Sequence, residues 1–235
     1  MRFRFKLMLS GLTVIFLLFG LHGCTRPLFE TELAGFDAGK RTLKLTYRLE
    51  NTSLSDGTKG FRFDSLTLHS IGNISNRRTT RKALLHKDFS LYQSETTRVI
   101  NDEVTHVRST VQGDQITIET SHGQQAPQTQ VVTRNGPVYV ELISLMYAGD
   151  LTEPGKERTY PILLESAGQI VPVTVRYLGP ETLYEDGTAY SVLHYELQAV
   201  TAPTEFDQYY LDPESKEILK IQFGQIKFIP ESWVK

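Results

Sequence analysis

Five histidines beyond the N-terminal segment, His69, His86, His106, His122 and His194, are the residues best suited to move protons or ligate a metal. They stand singly, so a zinc site or a catalytic triad needs the fold to bring them together. His194 draws most interest, because it alternates with Tyr195 on an expected strand and Glu196 follows it; an exposed strand histidine is the plainer alternative. Asp102 and Glu103 adjoin, but neighbours on a strand point to opposite faces, which spoils them as a catalytic pair. No GxSxG elbow, HExxH pair, phosphate-binding loop or calcium loop occurs. Cys24 is the only cysteine, so a zinc site built from cysteines is excluded. The sequence names no catalytic residue, no metal ligand and no cofactor.

One stretch is densely basic: Arg77, Arg78, Arg81, Lys82, His86 and Lys87. Two readings stay open. The cations can be a solvated strand edge that discourages pairing with other chains. Alternatively, Arg77, Arg78, Arg81, Lys82 and Lys87 contact anionic lipid, where each charge near a membrane surface contributes about 1 kcal/mol.

The chain begins with a positive segment carrying Arg2, Arg4 and Lys6, followed by an uncharged apolar run from Leu7 to Leu21. A helix over that run reaches only about 22 Å at ~1.5 Å per residue, short of the ~30 Å hydrocarbon core. A secretory signal peptide over residues 1–23 is therefore expected in preference to a retained span. The junction Leu21-His22-Gly23-Cys24 resembles a bacterial lipobox, with His22 departing from the usual small or aliphatic residue. The resemblance implies a bacterial lipoprotein: a diacylglyceryl group on the Cys24 thiol, cleavage before Cys24 and acylation of its amine. Each buried methylene contributes about 0.8 kcal/mol, and one chain binds only reversibly, so two or three would anchor the protein durably. Thr25 occupies the position where aspartate marks inner-membrane retention in several bacterial groups, so the expectation is an outer-membrane anchor facing the periplasm, where such a membrane exists.

Cleavage removes 23 of 235 residues and leaves 212, enough for one domain with a substantial core. Taking the three leader cations from a formal net charge of −2 leaves −5, which gives no reason to expect nucleic acid. Residues 24–40, with Pro27, Gly35 and Gly39, read as the lipidated cysteine and a tether. Residues 41–235 read as a single β-rich domain.

Arg41 to Leu49 alternates Leu43, Leu45, Tyr47 and Leu49 with polar residues, as a half-buried strand does. In Phe61 to Leu68 the apolar phase changes, which predicts a bulge near Ser65. Strands are expected at Arg81–Leu85, Phe89–Gln93, one or two over Glu95–Val111, and Gln115–Thr120, with Ser121–Thr129 a loop. Val138 to Ala148 is nearly all apolar, opens after Asn135-Gly136-Pro137 and closes at Gly149. That pattern predicts one short buried helix, with a buried strand as the alternative. Hairpins follow from Arg158 onward, around Ala167-Gly168 and Asp212-Pro213.

The fold class expected is mainly β: a curved antiparallel sheet or half-barrel holding one short helix. From Asn135 onward the order of elements, with Tyr209-Tyr210-Leu211-Asp212 before a last strand at Ile218–Phe223, resembles a group of uncharacterised secreted bacterial β proteins. The wider architecture resembles the periplasmic lipoprotein-carrier fold. These likenesses imply a fold and no activity. The functional expectation is a lipid-anchored, non-enzymatic envelope protein that binds or carries an apolar ligand or lipid. The alternative is a structural or assembly factor acting through protein contacts. An aliphatic cavity of several hundred Å³ favours the first and a fully packed interior the second.

Overall fold

A computed structural model describes residues 27–71, 75–141, 151–199 and 206–234. The leader, Cys24 and most of the expected helix lie outside the described residues. The chain runs as β1 (Phe29–Asp37), β2 (Lys40–Ser53), β3 (Lys59–Ile71), β4 (Ser75–Leu85), β5 (Leu91–Ile100), β6 (Glu103–Gln112) and β7 (Gln115–His122). It continues as β8 (Gln128–Thr133), β9 (Glu157–Leu164), β10 (Gln169–Glu185), β11 (Thr188–Ala199), β12 (Asp207–Leu211), β13 (Ile218–Phe223) and β14 (Ile226–Pro230), with a 3-10 turn at Glu231–Trp233.

All fourteen strands form one antiparallel sheet in the order β8-β7-β6-β5-β4-β3-β2-β1-β14-β13-β12-β11-β10-β9. The first and last strands of the chain thus meet at the centre of the sheet, and β8 and β9 are its edges. Tight turns set the register. Asn101-Asp102 (φ 48° and 72°) and Asp186-Gly187 (φ 48° and 78°) supply paired positive φ angles between antiparallel strands. Turns of that kind match the right-handed strand twist.

The concave face carries the core. Leu33, Leu45, Leu49, Phe63, Leu85, Leu91, Ile116, Leu197 and Ile221 are buried there, each at a strand position of one phase. Gly35 lets β1 and β14 approach, because a Cβ there would lie 2.5 Å from the Phe228 ring. Past a bulge between Tyr177 and Gly179, β10 and β11 continue as a long hairpin whose tip folds over the convex face. Glu185 binds Lys227 at 2.5 Å and Lys220 at 3.7 Å, and Tyr190 stacks on Trp233 at 4.1 Å. Leu183 and Val192 of the hairpin, with Ala34 and Ile229, are buried outside the main core.

Three expectations differ from the structure. Residues 29–37, assigned to the tether, are β1: Phe29, Thr31 and Leu33 point inward and alternate with Glu30 and Glu32. The expected bulge near Ser65 is absent, since β3 keeps register with both neighbours throughout. Leu66 and Leu68 simply lie on the convex face beside Thr46, Thr80, Lys44 and Arg78. The helix expected from Val138 is not formed over 138–141, where the chain bridges at Tyr139 and bends at Val140: Val138 and Val140 are buried, and Tyr139 forms a parallel bridge with Ile162. β-Branched residues at alternate positions after Pro137 disfavour a helix there. Leu91 N–H donates to Val138 O at 2.7 Å and Leu163 N–H to Tyr139 O at 2.7 Å, so this segment links β5 to the outer side of β9.

Candidate functional site

The register of β3 to β7 arranges the concave face in rows that run across the strands. The row nearest the Asp37 end contains His69, Arg77, Ile100 and Glu103. The next contains Thr67, Thr79, Arg98, Thr105 and His122, and the one below it Ser65, Arg81, Thr96, Val107 and Thr120. Deeper rows turn apolar, through Phe63, Ala83 and Ile118 to Leu85 and Ile116. Adjacent rows on one face are about 7 Å apart, and adjacent strands about 4.8 Å. The concavity therefore passes from a cationic mouth to an aliphatic interior within a few rows.

A polar cluster holds the far wall over these rows. Glu165, in the turn from β9 to β10, is buried, with its side chain 3% exposed. Its carboxylate accepts the Ser94 hydroxyl at 2.5 Å, the Thr96 hydroxyl at 2.9 Å and the Ser109 hydroxyl at 2.8 Å, and pairs with Arg81 Nη2 at 3.3 Å. Arg81 Nη1 donates to Val140 O at 2.9 Å and lies 3.6 Å from Glu141. One arginine thus ties β4, the 138–141 segment and the β9–β10 turn together. The Tyr47 hydroxyl is pushed well above its ordinary range, first by burial and then by the Glu141 carboxylate, against the pull of Arg81.

Between this cluster and the mouth lies a cleft of about 300 Å³. Arg98, Thr105, Thr120 and His122 form its polar side; Val107, Val140, Ile162 and Leu163 form its apolar side. The Thr105 hydroxyl and His122 Nδ1 are hydrogen-bonded at 3.0 Å. Among the described residues no ion pair engages Arg77 or Arg98. A site so built can hold one anionic group at the mouth and a short apolar body against the aliphatic wall. No cluster of three or more His, Cys, Asp or Glu able to hold a metal occurs among the described residues.

The basic stretch is dispersed. Arg81 faces inward and is bound to Glu165. Arg77 shares the concave phase at the mouth, and Arg78 and Lys82 share the convex phase. Lys87 sits in the turn after β4, about 30 Å along the strand from Arg77. These five residues do not form one continuous patch. His194 lies on the convex face, its Nδ1 3.1 Å from Glu181 and its Nε2 2.5 Å from Gln208, with its ring stacked on Tyr210. It belongs to a polar ladder that continues through Glu196 and Arg176 to Glu157. His86 and His106 lie apart from one another, the first against Tyr92 and the second bonded to Thr97. Asp102 falls in a turn rather than on a strand, so its side chain and that of Glu103 do not act as a strand pair.

Glu165 carried no local signal in the sequence. The trace that could have revealed it is the run of inward Ser94, Thr96 and Ser109, small hydroxyl residues where aliphatic ones are expected.

No family model matches the chain. No curated protein matches it. A solved structure that is similar is a β-barrel-like protein of domain of unknown function DUF1849 from Brucella abortus: 10% sequence identity, TM-score 0.49, covering 86% of this chain and 94% of that one.

Proposed function

We propose that this chain is a lipid-anchored, non-enzymatic binding protein of the cell envelope, held by an acylated Cys24, whose curved sheet receives a small anionic amphiphile. The observation that carries the ligand reading is the sequence of rows on the concave face, from Arg77, Arg98 and His122 at the mouth to aliphatic side chains beneath. A bulky lipid with two acyl chains is disfavoured. The wholly apolar part of the interior is filled by its own side chains, and the open cleft of about 300 Å³ is at the small end for ligand sites and half polar. The anchor is supported by the apolar leader and the lipobox-like Leu21-His22-Gly23-Cys24.

The test is calorimetric binding of octanoic acid, small enough for the cleft, to the mature chain carrying Cys24→Ser, so that no attached acyl chain competes. A charge-assisted hydrogen bond contributes about 1.5–3 kcal/mol, so Arg98→Glu is expected to weaken the acid about tenfold or more. The methyl ester should bind weakly to both forms. Equal binding of acid and ester, or indifference to Arg98→Glu, would defeat the ligand reading.

A second reading rests on the sheet edge. β8 (QTQVVT) carries no charge, is exposed except at half-buried Val132, with Val131 54% exposed, and has β7 as its only strand neighbour among the described residues. Edges of this kind pair readily with other chains. An assembly role predicts that Val131→Lys abolishes capture of an envelope partner while leaving octanoic acid bound.

A further inference from the structure

We infer that the cationic mouth faces away from the membrane that anchors the chain, so that its ligand is a free anionic amphiphile arriving from the aqueous side and not a headgroup of the anchoring leaflet. This rests on the acylated Cys24 proposed above.

The polarity follows from how little chain separates the anchor from the sheet. Leu28 N–H already donates to Leu49 O at 2.8 Å, and Phe29 pairs with Leu49. Only Thr25, Arg26 and Pro27 lie between Cys24 and that bond. Four Cα steps span at most about 14 Å, so the Phe29 end of the sheet must sit close to the bilayer. The turn containing Lys87 and the turn 54–58 lie at this same end, because Leu49 pairs with Phe63 and Phe61 with Leu85.

The mouth lies at the other end. Gly35 pairs with Leu43, Leu43 with His69, His69 with Arg77 and Arg77 with Ile100. The β9–β10 turn carrying Glu165 bonds Ser94 and Ser109, two rows below Arg98, and so closes the cleft from beneath and leaves the mouth open. Along β1 the Arg98 row is level with Leu33 and the Arg77 row with Gly35, four and six residues from Phe29, or about 14 and 20 Å of strand. A tilt of roughly 35–45°, usual where sheets curl, leaves heights of about 10 and 15 Å. The Debye length at physiological salt is about 8 Å, so Arg98 and Arg77 are out of contact with the anchoring leaflet and more than one Debye length above the Phe29 end. Of the basic stretch only His86 and Lys87 lie at the tether end, and the headgroup contacts open to this chain centre there.

The single cysteine makes a direct test possible, because acylation blocks its thiol and an added cysteine takes a fluorophore alone. Full-length chain, processed in cells and reconstituted in vesicles, is labelled at Lys87→Cys or at Gln124→Cys, the latter in the turn between β7 and β8 beside His122. Nitroxide-headgroup lipid is then added to the bilayer. The label at 87 should lose most of its emission and the label at 124 should keep it; the reverse order, or equal quenching, overturns the inference. In a second arm, octanoic acid is titrated calorimetrically with phosphatidylglycerol present or absent in the anchoring bilayer. Unchanged affinity supports uptake from the aqueous side, and competition by the bilayer lipid overturns it. Intact mass separates the two levels of the argument. An unmodified Cys24 defeats the anchor itself, whereas an acylated chain with a quenched label at 124 defeats only the orientation.

Discussion

Removing the Glu165 carboxylate should loosen the wall of the cleft, and the size of the effect can be worked out from its partners. Glu165→Ala leaves the hydroxyls of Ser94, Thr96 and Ser109 without their acceptor and strips Arg81 of its closest carboxylate. Breaking a buried pair by deleting one member costs about 3–5 kcal/mol. Arg81 is itself 24% exposed and keeps Val140 O and Glu141, so the lower half of that range, about 3–4 kcal/mol, is expected. Glu165→Gln keeps an acceptor oxygen and should cost less, about 1–3 kcal/mol. At about 2–4 °C per kcal/mol for a domain of this size, the alanine variant should melt roughly 6–16 °C lower. Urea unfolding followed by circular dichroism gives the free energies. Arg81→Met with Glu165→Ala completes a double-mutant cycle, and the double variant should lose clearly less than the two single losses added. A loss below about 1 kcal/mol for Glu165→Ala, or simple additivity, would refute the claim that this pair closes the far wall.

Three further outcomes follow from particular side chains. Thr31 is buried on the concave face and its hydroxyl has no hydrogen-bond partner among the described residues, so Thr31→Val, which keeps the shape, should stabilise by about 1 kcal/mol in urea unfolding. Gly35→Ala should destabilise by more than 1 kcal/mol and perturb the β1–β14 pairing in hydrogen exchange, since the added methyl meets both the Phe228 ring and Leu43 Cβ. Burial drives the Tyr195 hydroxyl up to about 12, with help from Tyr177 and Tyr160, and burial raises those of Tyr47 and Tyr209 well above the usual 10. These groups hold their protons in the folded chain after unfolded tyrosines have lost theirs, so their contribution is complete below pH 10. It falls as pH rises from about 10 towards 12. Thermal melts across that window should drop, and Tyr195→Phe should flatten the drop; a pH-independent melt would contradict the burial of these hydroxyls.

The strands whose two faces differ in polarity were legible from sequence. The alternation in Arg41–Leu49 lies within β2, Arg158–Glu165 and Gln169–Leu178 within one residue of β9 and inside β10, and the turns at Ala167-Gly168 and Asp212-Pro213 stand where expected. Legibility failed where burial is unevenly shared between faces. In β1 the alternation of Phe29, Thr31 and Leu33 with glutamates is interrupted by Ala34, which is buried on the convex side under the β10–β11 hairpin. β8 was missed because an edge strand with almost every residue exposed has no apolar phase to read. Val138–Glu141 misled because an apolar run of that length satisfies helix and buried strand alike; the partner that decides between them, β9, lies more than twenty residues away.

The cleft was illegible for a related reason. Its polar members lie on four strands and one distant turn, and none is unusual beside its sequence neighbours. What periodicity could reveal was a negative feature, the weak apolar alternation of Glu95–Val111, where Thr96, Arg98, Thr105 and Ser109 occupy inward positions. A curved sheet that buries hydroxyls and arginines on its concave side must either pair them internally or leave them to water and ligand. Ser94, Thr96, Ser109 and Arg81 take the first course through Glu165. Arg98 and Arg77 take the second, and they lie at the mouth end, where a ligand can reach them. That division separates the part of the concavity that holds the fold together from the part free to bind. It also predicts the phenotype of each residue: stability lost at Arg81, affinity lost at Arg98.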